Sequence, residues 1–82
     1  MENAIYKANG QEVRLSENGT FTASLSGGIN KSGTYTTSEI DDITVEIVFE
    51  VDDEEFYGDI INNALSLPEA WDNGSGDKLM KQ

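Results

Sequence analysis

Eighty-two residues without a cysteine or a histidine make a small domain with a thin core and no disulfide to staple it, and they lack the commonest general base and metal ligand. The net charge of −11 is lopsided: residues 1–35 carry three acids against three bases, while residues 36–82 carry thirteen acids against only Lys78 and Lys81. Such a balance argues against direct binding to nucleic acid or an anionic membrane and favours a basic protein surface as partner.

Ala4 to Ala8 reads as a first strand, closed by Asn9-Gly10. Gln11 to Leu15 answers it, with Val13 and Leu15 on one parity. Asn-Gly between two such runs signals a hairpin, because its turn needs positive φ at both central residues. A second pair, Asn18-Gly19, leads into Thr20 to Leu25, where Phe21, Ala23 and Leu25 alternate with Thr and Ser. The first 25 residues therefore predict a three-stranded antiparallel meander.

Residues 26–32 (SGGINKS) have the composition of a loop, and Gly33 to Thr37 reads as strand again. After a turn over Ser38–Asp42 comes the strongest pattern in the chain. Ile43, Val45, Ile47, Phe49 and Val51 share one parity, and Thr44, Glu46 and Glu50 the other. This is a strand with one buried face, and Val48 is its single apolar residue on the wet side. Asp52-Asp53 predicts a tight turn into Glu54–Ile61, with Phe56, Gly58 and Ile60 inward and a bulge or bend at Gly58. Asn62-Asn63 turns the chain into Ala64–Leu67. Pro68 to Trp71 predicts one helical turn, 72–77 a loop, and Lys78–Lys81 a short closing strand.

These seven or eight short strands, with no long helix and no linker, predict a single all-β domain over residues 1–82. Its fold is an antiparallel up-and-down meander closing into a barrel or half-barrel. The segments Glu17-Asn18-Gly19-Thr20-Phe21-Thr22 and Gly33-Thr34-Tyr35-Thr36, with the alternating strand 43–51, resemble small bacterial lipocalin-like domains. Across residues 10–51, that resemblance implies a calyx-like or half-barrel fold and a binding role, often at the cell envelope.

The sharpest chemical feature is a run of ten carboxylates within residues 39–59: Glu39, Asp41, Asp42, Glu46, Glu50, Asp52, Asp53, Glu54, Glu55 and Asp59. Three readings compete. The run is a solvated face that blunts strand edges and keeps the protein in solution; it is a surface for a basic partner; or Asp52, Asp53, Glu54 and Glu55 hold calcium, although their spacing matches no known loop. Asp72-Asn73-Gly74-Ser75-Gly76-Asp77 lacks oxygen-bearing side chains at two of three required positions and reads as a turn. No serine has a candidate base, and no cofactor or metal motif occurs, so no enzymatic activity is expected. Among the aromatics, Trp71 beside Pro68 is the expected plug of one barrel end, while Tyr6, Tyr35 and Tyr57 cover the core or form a recognition patch.

The expectation is thus a non-enzymatic binding module of lipocalin-like type. The alternative is an acidic phage or mobile-element inhibitor of the anti-CRISPR or anti-restriction kind, which mimics nucleic acid and blocks a basic surface. No apolar run is long enough to span a bilayer. The expected state is a monomer, or a homodimer formed by pairing open strand edges. Without the basic start and apolar middle of a signal peptide, the expected location is cytoplasmic, or the envelope or exterior if a leader was removed.

Overall fold

The computed structural model describes residues 3–72, 76 and 78–82. Eight strands follow in order: β1 (Ala4–Ala8), β2 (Gln11–Leu15), β3 (Thr20–Leu25), β4 (Ile29–Glu39), β5 (Thr44–Val51), β6 (Glu54–Ile61), β7 (Ala64–Ser66) and β8 (Lys78–Lys81). Each pairs antiparallel with the next, and β8 pairs with β1, so the sheet is a closed up-and-down barrel rather than a half-barrel. Closure is narrow, resting on Tyr6 opposite Lys81 and Lys7 opposite Met80. It takes up the β1 and β8 edges that an edge-paired homodimer would have used.

The turns follow from residues that tolerate positive φ. Asn9 and Gly10 (51° and 79°), Asp52 and Asp53 (51° and 68°), and Asn62 and Asn63 (53° and 69°) each form a two-residue hairpin whose twist matches its strands. The second Asn-Gly behaves differently. Ser16 N–H donates to the Thr20 carbonyl at 2.9 Å and Gly19 N–H to the Ser16 carbonyl at 3.0 Å, leaving only Gly19 of that pair left-handed. Asn18 instead spends its side chain as an acceptor for the Thr20 N–H and hydroxyl.

Four strand limits depart from the sequence reading: β4 runs on through Ser38 and Glu39, where a turn was expected, β7 stops at Ser66 short of Leu67, and the starts of β4 and β5 shift as well. The polar stretch expected as a loop from 26 to 32 is a 3-10 turn only over Ser26–Gly28. From Ile29 onward it is β4, paired residue for residue with β3. Asn30 and Ser32 point to water, so their polarity marks the outer parity and not a loop. At the other boundary, Ile43 lies ahead of β5 and is 57% exposed, which corrects its assignment to the core. The β4–β5 hairpin runs past the end of the barrel there, so inward parity no longer meets a core. The remaining parity holds: Ile47 and Phe49 are fully buried, and Val45 and Val51 pack against the core in part.

Gly58 sits in unbroken register opposite Ile47, so it marks no bulge in the β5–β6 ladder. A Cβ there would lie 2.7 Å from the Ser66 carbonyl oxygen, and close approach of β7 is what requires glycine. Gly33 is tighter still. It lies where β4 leaves β3 and joins β5, and a Cβ would come within 2.0 Å of the Glu50 carbonyl oxygen.

The interior is filled by side chains from every strand, among them Tyr6, Val13, Leu15, Phe21, Tyr35, Ile47, Phe49, Ile60, Leu65 and Leu79. Buried Gln11 accepts from the Ser26 N–H and hydroxyl through its amide oxygen, both at 3.3 Å, and so ties the 3-10 turn to β2. The β7–β8 connection contains the short helix α1 (Glu69–Asp72). Up-and-down alternation puts that connection at the same end as the 9–10, 26–28 and 52–53 turns. From there Trp71, 2% exposed, packs on Phe21, Phe49 and Phe56 with ring centres 5.9, 5.1 and 5.1 Å away. It is the plug expected of it, although its indole N–H finds no hydrogen-bond partner among the described residues. Of the expected loop over 72–77, residues 73–75 and 77 lie outside the described residues.

Candidate interaction surface

With the interior occupied by side chains, the clefts of the described surface open outward. One crosses Arg14, Thr22 and Lys31 on β2–β4; another lies beside Glu39, Asp41, Asp42 and Val45.

The ten carboxylates fall into three groups. Glu39, Asp41 and Asp42 occupy the tip of the β4–β5 hairpin. Asp52, Asp53 and Glu54 occupy the β5–β6 turn, at the far end of an eight-residue strand, which is about 25 Å away at ~3.3 Å per residue. Between them Glu46, Glu50, Glu55 and Asp59 lie on the outer faces of β5 and β6. All ten are exposed except Glu46, which is half-buried. The run is therefore a wall with two ends, not one cluster.

Register decides what the wall presents. Glu50 lies directly opposite Glu55, and Glu46 directly opposite Asp59. In the row between these two like-charge pairs, Val48 lies opposite Tyr57. Tyr57 is 58% exposed and donates from its hydroxyl to Glu55 Oε1 at 3.1 Å. That hydrogen bond, and then the charge of Glu55, holds the phenol above its ordinary pKa. Thr34, Thr36 and Ser38 of β4 continue the three rows. The result is an apolar and aromatic pair flanked above and below by rows of carboxylates. The sequence carried a signal for it: Val48 was the one apolar residue on the wet parity, and a two-residue turn at 52–53 dictates its pairing with Tyr57.

Asp41 has a separate, local task. Its Oδ1 accepts from the backbone N–H groups of Ile43 and Thr44 at 3.0 and 2.9 Å, pinning the turn between β4 and β5. These bonds, that to Ile43 first, hold its carboxyl below the usual carboxylate range.

On the opposite wall Glu12 is hydrogen-bonded to Arg14 and lies 3.4 Å from Lys7 Nζ. Arg14 above all holds the Glu12 pKa below its ordinary value. β5, β6 and the neighbouring β7 contain no base, and Lys31 is the one base on the neighbouring β4. Among the described residues no group of three or more acidic side chains is disposed to hold a metal ion, and no helix is long and apolar enough to cross a membrane.

No family model, curated protein or solved structure matches this chain.

Proposed function

We propose that this barrel is a non-enzymatic binding module of lipocalin-like architecture that works from its outer wall. The β4–β6 face docks on a basic protein surface, with Tyr57 and Val48 as the apolar anchor and Glu46, Glu50, Glu55 and Asp59 as the charged rim. The observation that carries this reading is the register of Glu50 with Glu55 and Glu46 with Asp59. Like charges directly across a strand pair destabilise the sheet, so two such pairs around an exposed tyrosine cost stability that folding alone does not require. A basic partner would turn that repulsion into attraction and speed encounter.

A second reading narrows the partner. No base occurs between Lys31 and Lys78, and an unbroken anionic wall suits a basic surface that otherwise holds a nucleic-acid backbone. This is the inhibitor class in which the module mimics nucleic acid.

The test is an immobilised barrel compared with two variants, Tyr57→Ala and the combined Glu46→Gln, Glu50→Gln, Glu55→Gln, Asp59→Asn. Wild type is expected to retain proteins that both variants lose, with retention falling as salt rises. Release of those proteins by added duplex DNA would select the mimic. Equal retention by all three columns would refute the proposed face.

A further inference from the structure

Four of the five large apolar side chains exposed on the described surface, Ile40, Ile43, Ile61 and Met80, lie toward one end of the barrel; the fifth is Tyr57. Two of them belong to an ordered lattice. On the outer face of β6, β7 and β8, one cross-strand row reads Ile61, Ala64, Met80 and the next reads Asp59, Ser66, Lys78. Ile61 is 42% and Met80 51% exposed, and Lys78 Nζ donates to Ser66 Oγ at 3.1 Å across the seam. A strip centred on β7 therefore has an apolar row, and beside it a row that is acidic on one flank and basic on the other. Acid wall and basic strands meet here, since Lys78 and Lys81 lie on β8 and Lys7 on β1.

We infer that this strip is a self-association surface, occupied by a second copy of the chain. Two convex barrels packed face to face touch along a narrow band, and a two-fold axis in the contact plane fixes which residues meet. With the axis along β7, β6 of one copy faces β8 of the other at the same height. Asp59 then meets Lys78 twice, Ile61 meets Met80 twice, and Ala64 meets its own symmetry mate. With the axis across the strands, Ile61 would face Asp59 and Met80 would face Lys78, which buries charge against apolar surface. The complementarity selects the first arrangement without any residue from a foreign partner. The band also covers the least-paired part of the barrel, where β6–β7 and β7–β8 have three residue pairs each and β1–β8 two. The strip shares Asp59 with the rim of the proposed binding face but not its Val48–Tyr57 centre, so Tyr57→Ala, which should empty that face, should leave the dimer intact.

The experiment is sedimentation equilibrium up to about 1 mM protein, a range that captures weak association. Wild type is expected to form a dimer. Asp59→Lys and Lys78→Asp singly should each weaken it at least about tenfold, a loss of the size expected for one charge-pair reversal counted at two symmetric contacts. Combining Asp59→Lys with Lys78→Asp should restore it. Independently of any substitution, carbodiimide coupling of isotopically distinct copies should join Asp59 of one to Lys78 of the other. A chain that stays monomeric at the highest concentration overturns the inference. So does a dimer whose charge-swapped form fails to recover or whose cross-links fall elsewhere. Monomers that bind neutral phosphatidylcholine vesicles through Ile61 and Met80 would assign the strip to a lipid surface and overturn it too.

Discussion

Gly33→Ala tests the barrel geometry at its tightest point. The added Cβ would lie 2.0 Å from the Glu50 carbonyl oxygen and 3.2 Å from its carbon, and the obstacle is backbone, so no side chain can rotate away. Restoring an ordinary contact requires β4 and β5 to part by about 1 Å or more, since non-bonded atoms settle near 3.5 Å. That strain falls where Thr34 pairs with both Thr20 and Glu50, so it loosens two ladders together. Overpacking costs about 1–3 kcal/mol or more. The lost entropy of the unfolded glycine returns only about 0.4–1 kcal/mol. Adding the weakened ladder, the net loss is expected at about 3 kcal/mol. A chain of this length has only about 4–12 kcal/mol in total. With a urea slope near 1 kcal/mol per M, the midpoint should fall by about 3 M. Trp71, the one tryptophan and 2% exposed, reports unfolding by its fluorescence. Gly58→Ala, whose Cβ would meet Ser66 carbonyl oxygen at 2.7 Å, is the graded control and should lose less. A Gly33→Ala midpoint within about 0.5 M of wild type would refute the close approach of β4 and β5.

Core and wall should separate cleanly in the β5 strand. Phe49→Ala is expected to cost about 3–5 kcal/mol, because Phe49 is fully buried between Phe21 and Trp71. Glu50→Ala should leave stability unchanged or slightly raised by relieving repulsion from Glu55, and chemical denaturation of the two variants side by side checks this. The Asp41 turn predicts a pH dependence. Its carboxyl is depressed in the folded state, so its contribution is complete above the ordinary carboxylate pKa and disappears as pH falls through the lower folded value. Asp41→Ala should therefore destabilise more at pH 7 than in strong acid, read from urea midpoints at the two pH values; an equal loss at both would sink the hydrogen-bonding account.

Local rules were enough to read most strands, their parity and their tight turns from the chain alone. Period-2 alternation needs only the pleat, and positive φ at Asn9-Gly10, Asp52-Asp53 and Asn62-Asn63 needs only residues that tolerate it. Trp71 as a plug was legible because a large apolar ring after Pro68 has few other places to go. Even the patch was within reach, since a two-residue turn at 52–53 forces Val48 opposite Tyr57. Ile29–Ser32 was not readable as strand, because its polarity is set by facing water while β3 supplies the hydrogen bonds from outside the segment. Nor was the exposure of Ile43, which depends on where the barrel ends. Closure was decided only in three dimensions. The β7–β8 connection is too long for turn geometry to carry register across it, and β1 meets β8 from opposite ends of the chain. Those pairings depend on curvature accumulated over every strand between them, through the twist of each pair and the tight approaches at Gly33 and Gly58.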